Sequence, residues 1–129
     1  MGPQFLIDSN VIIDFWAGSL PSDGASWLIE KVNNQQHCIS PINQIGVLGY
    51  DGKPDEMKLA AAFINSSVSI PIDEKVIATT IVIKRQKKIK LPDAVIAATA
   101  LTHNSIIVTR NEKDFKDIDG LKTINLHSL

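Results

Sequence analysis

The sequence predicts a three-layer α/β/α fold around a central, mostly parallel sheet. Short apolar runs alternate along the chain with segments of helical spacing, a pattern typical of parallel strands joined by crossover helices. The chain has 129 residues, and 44% of them are hydrophobic, which suffices for one core. We therefore predict a single domain over residues 1–129. Residues 1–3 have no evident structural part, and a vector-derived extension is one interpretation of them.

Five short apolar runs are predicted as strands: 4–7, 37–39, 68–71, 105–109 and 122–126. Helices are predicted over 11–17, 25–33, 41–48, 54–65, 74–88 and 91–101, with a polar turn or short helix at 111–115. Asn10 and Asp73 are expected to cap the helices that follow them. Pro41 and Pro92 suit the first turn of a helix, where proline costs no hydrogen bond.

Composition excludes several classes of site. The formal net charge is -1, so nucleic acid would have to be met by a local basic patch. The single cysteine, Cys38, rules out an internal disulfide and is expected to be a buried apolar residue. The three histidines are scattered, without zinc-ligand spacing. No secretory signal and no apolar run of about 18 residues is visible, so we expect a cytoplasmic protein without a membrane partner.

Three acids follow or adjoin predicted strand ends. Asp8 follows the first strand, Asp114 follows the strand at 105–109 by one short turn, and Asp93 begins a helix. Ligands of parallel α/β sheets bind beyond the carboxyl ends of the strands, so these acids are candidates to converge. Converging carboxylates repel one another unless a hard cation such as Mg²⁺ or Mn²⁺ binds them. Such an ion would support hydrolysis of a phosphodiester.

Each acid also has a plainer interpretation. Asp93 could serve only as a favourable charge at a helix amino end, and Asp114 could be a solvated loop residue. Asp8 lies between apolar segments, where an unpaired carboxylate is costly, and this favours a functional role. Four other acids are assigned to a helix face or to capping: Asp14 to the face, and Asp51, Asp55 and Glu56 to caps.

One dense basic stretch precedes Asp93. A run of this kind is usually a solvated helix end, and phosphate contact is the alternative. Aromatic residues make up only 5% of the chain, so base stacking is not expected to dominate RNA binding. The basic residues are Lys84, Arg85, Lys87, Lys88 and Lys90.

Four segments, in this order and at these separations, resemble the PIN-domain pattern of VapC-type toxins: 5–10, 39–42 with 48–49, 91–100 and 108–115. The resemblance covers nearly the whole chain. It implies a PIN fold and a metal-dependent endoribonuclease that hydrolyses structured RNA such as tRNA. It also implies an antitoxin partner and a homodimer, for which 60–64 and 76–83 offer apolar surfaces that core packing explains equally well.

The resemblance also implies roles for individual residues of this sequence. Asp8, Asp93 and Asp114 would be the catalytic, metal-binding acids. Asn111 stands where some relatives have a further acid. Supporting and RNA-contact positions are expected as well: Ser9 or Asn10 orienting Asp8, Ser40 in the second segment, and Arg110 beside the basic stretch on RNA.

The sequence departs from the family pattern at Gly46. The helix that carries this position usually has a glutamate there, and Asn43 stands where threonine is common. Because loss of even an outer partner of a metal site costs about 10–100-fold in affinity or activity, we predict weak or absent activity. Glu56 is the nearest substitute in sequence but lies beyond a turn.

Gly46 leaves two explanations open: a natural member that binds RNA or an antitoxin without cutting, or a substitution that disarms a toxin. A small-molecule phosphohydrolase on a similar sheet is a third class of function, with no covalent phosphate-acceptor motif beyond Asp8 to support it.

Overall fold

The computed structural model describes residues 4–129; the expectation for residues 1–3 lies outside this range. Five strands form one parallel sheet in the order β3-β2-β1-β4-β5. The predicted fold class is thus confirmed. The strands are β1 Gln4–Ile7, β2 His37–Ile39, β3 Val68–Ser69, β4 Ser105–Val108 and β5 Thr123–Ile124.

In the described part of the chain, six α-helices and one 3-10 helix connect the strands. No helix within residues 4–129 has the length and apolar character needed to cross a membrane. The helices are α1 Ser9–Trp16, α2 Ser22–Asn33, α3 Pro41–Leu48, α4 Pro54–Ser66, α5 Glu74–Gln86 and α6 Leu91–Thr102, with the 3-10 helix at Glu112–Phe115.

Alternate side chains of the central strand enter two different cores. Phe5 and Ile7 pack with apolar residues of α1, α2 and α4, whereas Leu6 packs with α5 and α6. This is the period-two alternation of a strand buried on both faces. The helices therefore form a layer on each side of the sheet, and Cys38 lies buried in the α5–α6 layer, as predicted.

The expectations for the start of α1, the end of α5 and the lengths of the two edge strands were wrong. The side chain of Asp8, not Asn10, caps α1 by accepting a hydrogen bond from the Ser9 N–H, so α1 begins two residues earlier than predicted. Helix α5 ends at Gln86 because Lys87 adopts extended backbone angles. The strands β3 and β5 have only two residues each, since both lie at sheet edges where pairing comes from one side.

The order of the strands places a switch point at β1. From β1 the chain adds β2 and β3 on one side, and later β4 and β5 on the other. Connections that leave in opposite directions open a crevice beyond the carboxyl ends of the two central strands, which is where ligands of such sheets bind. In this chain the crevice lies beyond Ile7 and Val108, directly beside Asp8 and Thr109.

Candidate active site

Asp8 lies at the carboxyl end of β1 with only 8% of its surface exposed. Its backbone N–H donates to the Val108 carbonyl (2.9 Å), which fixes it against β4. Each carboxylate oxygen accepts two hydrogen bonds. Oδ1 accepts from the Ser9 N–H (2.8 Å) and Asn43 Nδ2 (3.4 Å), and Oδ2 accepts from Thr109 Oγ1 (2.9 Å) and Asn10 Nδ2 (3.2 Å).

Two of these donors were missed by sequence reasoning. Thr109 follows β4 just as Asp8 follows β1, and because the two strands are parallel neighbours, the same rule that selected Asp8 would have selected it. Asn43 belongs to the capping box of α3, in which Ser40 Oγ accepts from the Asn43 N–H (3.3 Å) and Asn43 Oδ1 accepts from the Ser40 N–H (2.9 Å). Ser40 thus acts on Asp8 through Asn43.

Burial raises the pKa of Asp8 above its ordinary value. The hydrogen bonds from Thr109, Ser9 and Asn10 oppose that rise, because they favour the ionised carboxylate, and the nearby charge of Asp114 adds to it. The site therefore holds a buried carboxylate that its protein donors only partly compensate.

Asp93 stands in the first turn of α6 and is partly buried. Its pKa is raised by burial first, then by the charges of Asp114 and Asp8, while Lys90 lowers it. Three acids that are far apart in sequence thus lie within electrostatic range of one another. Asp114, in the 3-10 helix, is the exposed member.

The donor set fits a hard cation that keeps its water. Among residues 4–129 no group of three or more His, Cys, Asp or Glu side chains is close enough to hold one ion together. Mg²⁺ does not require such a cage, since it usually binds through one or two carboxylates and retains several waters. Asp93 and Asp114 are the acids with free surface for this, whereas both oxygens of Asp8 already have protein donors.

A cleft of about 410 Å³ opens beside Asp93 and Asp114. The loop between α5 and α6 forms one part of its lining, and the 3-10 helix with the residues after it forms another. Lys113 and Lys116 were not among the predicted contact residues. The lysines that line the cleft are Lys87, Lys88, Lys90, Lys113 and Lys116, and a third acid, Asp117, lines it too.

The other basic candidates are placed differently. Lys84 Nζ donates to the Ile89 carbonyl (2.6 Å) and so braces the loop before α6. Neither Lys84 nor Arg85 lines the cleft. The Arg110 guanidinium is turned toward α1, where Nη1 lies 3.0 Å from both carboxylate oxygens of Asp14.

Asp14 lies in α1, as predicted, and its side chain is buried against two other segments of the chain. It is 7% exposed and contacts His127 (Nε2 to Oδ2, 3.3 Å) as well as Arg110. Its partners come from 96 and 113 residues further along the chain, so no local pattern identifies them.

Gly46 lies in α3 where that helix meets α1. A Cβ at this position would clash with Ser9 Oγ and would come 2.9 Å from Ser9 Cβ. Ser9 Oγ donates to the Asn43 carbonyl (3.2 Å), one turn earlier in α3. The two helices therefore approach closely through small residues. Asn111 precedes the 3-10 helix and donates its N–H to Thr109 Oγ1 (3.1 Å).

Comparison with known proteins decides the family. The PIN domain model matches residues 5–121. The chain belongs to the PIN domain family. No curated protein sequence matches it significantly.

Solved structures show the same PIN fold over almost the whole chain. A toxin–antitoxin complex from Klebsiella pneumoniae is 27% identical with a TM-score of 0.77, and the match covers 98% of this chain and 100% of that one. DNA-bound VapBC from Salmonella typhimurium is 19% identical (TM-score 0.78, coverage 97% and 99%). FitAcB from Neisseria gonorrhoeae is 22% identical (TM-score 0.72, coverage 98% and 100%). The last two likenesses show the fold alone.

Proposed function

We propose that this PIN domain is a metal-dependent endoribonuclease, the toxin of a toxin–antitoxin pair, with low activity in its present sequence. One observation carries the proposal: the fold brings Asp8, Asp93 and Asp114 into mutual electrostatic range at the switch point, beside a lysine-lined cleft. The pKa of Asp93 is raised by burial and by the charges of Asp114 and Asp8, which Lys90 offsets only in part, and a divalent cation relieves such an environment.

The proposed metal site and the proposed RNA-binding cleft use different residues. A bound Mg²⁺ or Mn²⁺ would polarise the phosphodiester and lower the pKa of a water nucleophile. Asp93 and Asp114 would hold that ion. Asp8, fixed by its four hydrogen-bond donors, would add negative charge beside them. The cleft lysines would bind the flanking phosphates of RNA as local positive charge on a chain whose net charge is -1.

An antitoxin is the proposed protein partner, supported by the likeness to the Klebsiella toxin–antitoxin complex. Transfer RNA as the substrate and a homodimer as the assembly remain predictions from the family. For the dimer, the apolar residues of 60–64 are largely buried, whereas Ile77, Ile81 and Val82 on α5 are about half exposed. The α5 face is therefore the better placed of the two predicted surfaces.

A second function, binding without cutting, is favoured by the close approach at Gly46. No carboxylate stands at this position, and Ser9 closes the space that a side chain would enter. In this alternative the cleft lysines bind RNA and the acids hold no catalytic ion. The two functions differ in one measurable respect, which is metal-dependent cleavage.

The test is cleavage of end-labelled structured RNA with Mn²⁺ by the present chain, by Gly46→Glu, and by Gly46→Glu combined with Ser9→Gly. The second change frees the space that Ser9 occupies yet keeps the backbone N–H that Asp8 needs. We expect about 10-fold or more gain in the double variant, abolished by adding Asp93→Asn. If the folded double variant leaves a panel of structured RNAs uncut while still binding them, the nuclease proposal fails and the binding function stands.

A further inference from the structure

We infer that Asp14, Arg110 and His127 form a clamp that positions the segment 109–114, and with it Asp114, at the metal site. The inference rests on the proposed metal-dependent function. It assigns a positioning role to Asp14 and Arg110, neither of which lines the cleft beside Asp93 and Asp114.

The clamp begins with a carboxylate that has little access to water. Asp14 is 7% exposed, and a buried carboxylate without a partner is strongly unfavourable. Arg110 Nη1 donates to both carboxylate oxygens of Asp14 (3.0 Å to each), and His127 Nε2 lies within hydrogen-bond distance of Oδ2 (3.3 Å). Both partners are more exposed than Asp14. The buried carboxylate on α1 therefore holds the segments that carry Arg110 and His127 against this helix.

Further hydrogen bonds of the backbone and side chains connect Arg110 to Asp8 and Asp114. The Arg110 N–H donates to Asn10 Oδ1 (3.2 Å), and Asn10 Nδ2 donates to Asp8 Oδ2 (3.2 Å). On either side of Arg110, Thr109 donates to Asp8 and Asn111 donates its N–H to Thr109 Oγ1. The Asp114 N–H then donates to the Asn111 carbonyl (3.0 Å). Hydrogen bonds, joined through the covalent structure of Arg110, Asn10 and Asn111, therefore link Asp14 to Asp114.

The segment before His127 closes the clamp from the other side. Asn125 Nδ2 lies 3.5 Å from the Arg110 carbonyl, and Asn125 Oδ1 accepts from the His127 N–H (2.9 Å). Asn125 thus touches both partners of Asp14. Residues 125–127 are in this way tied to the site although they lie beyond the last strand.

Partners that orient the groups of a metal site typically affect metal affinity by 10–100-fold when they are removed. Asp14→Asn and Arg110→Gln are therefore expected to weaken Mn²⁺ binding, measured by isothermal titration calorimetry, at least about 10-fold. The two substitutions together are expected to cost no more than either alone, because both break the same ion pair. Arg110→Lys should restore affinity, since only one guanidinium nitrogen pairs with Asp14.

Hydrogen exchange tests the clamp without any metal. We expect exchange of the Arg110, Asn111 and Asp114 amides to accelerate about 10-fold in both variants, with core amides of β1 unchanged. The matched control is Asp73→Asn, another carboxylate near a histidine (His103 Nε2, 4.0 Å), which lies at the far end of α5 from the cleft. That variant should change neither measurement.

Unchanged exchange at these three amides in folded Arg110→Gln overturns the clamp, as does Mn²⁺ affinity equal to that of the present chain. Arg110 is half exposed, so its replacement is expected to leave the chain folded even if Asp14→Asn does not. If the present chain binds no Mn²⁺, the proposed metal-dependent function fails, whereas faster exchange in the same variants would still support a clamp on the segment.

Discussion

Two acids at the switch point, Asp8 and Asp93, are costly to keep ionised. Asp8 and Asp93 both have pKa values raised chiefly by burial, and the charge of Asp114 raises the pKa of both further. A carboxyl group whose pKa is higher in the folded chain than in the unfolded chain stabilises the fold below its unfolded pKa. That contribution is lost as the pH rises through the folded pKa. These two carboxyl groups therefore stabilise the fold least at neutral pH, where the proposed cation would offset their charge.

Asp93→Asn should remove part of this cost. We expect the variant to be more stable than the present chain at pH 7, with a difference that shrinks toward zero below about pH 4, near the unfolded pKa of aspartate. Urea unfolding between pH 3 and pH 8, without divalent ions, measures the difference. Asp55→Asn, at the first turn of α4, is the control, since it tests a carboxylate at another helix amino end. A variant less stable than the present chain at pH 7 would refute the electrostatic interpretation.

At the scale of elements, α1 and α3 are held together by Ser9 and Gly46. Alanine normally stabilises a helix by about 1 kcal/mol relative to glycine. Here the added Cβ would meet Ser9 Cβ at 2.9 Å, so the helices would have to separate. We therefore expect Gly46→Ala to lower the free energy of unfolding in the present chain, and to raise it by up to about 1 kcal/mol in a Ser9→Gly background.

A double-mutant cycle by urea unfolding measures this coupling. The same effect of Gly46→Ala in both backgrounds would mean that the two helices do not pack tightly here. The outcome also matters for the glutamate test, because a larger side chain needs at least the room that alanine needs.

Elements were also the part of the fold that the sequence predicted well. Apolar runs and helical spacing are local, so the strand and helix order followed from them. Helix caps were harder, because Asp8 and Asn10 are equally good capping residues and only the tertiary placement of Asn10 on Arg110 separates them. The electrostatic proximity of Asp8, Asp93 and Asp114 was expected from their places beside the ends of the strands. The ion pair of Asp14 could not be predicted in this way, because its partners depend on the packing of residues 110 and 127 against α1.

For the whole molecule, a net charge of -1 means that attraction to RNA must be local. Replacing Lys113 and Lys116 together by glutamine should weaken RNA binding. It should also reduce the slope of log affinity against log salt by about 0.7 for each phosphate that the lysines no longer neutralise. Fluorescence anisotropy with EDTA present isolates binding from cleavage. The control pair is Lys53→Gln with Lys58→Gln at α4, in the opposite helix layer, which should leave the slope unchanged. Equal slopes for both pairs would exclude the cleft as the RNA site.

The central claim is that the acids at the switch point bind a divalent cation, and calorimetric titration of Mn²⁺ tests it most directly. Asp93→Asn and Asp114→Asn should each weaken binding about 10-fold or more. Asp117→Asn is the matched control, because Asp117 lines the same cleft and its positive φ of 64° suits asparagine. We predict that this control keeps the affinity of the present chain. Equal affinity in all four proteins, or no binding by any of them, would contradict the account.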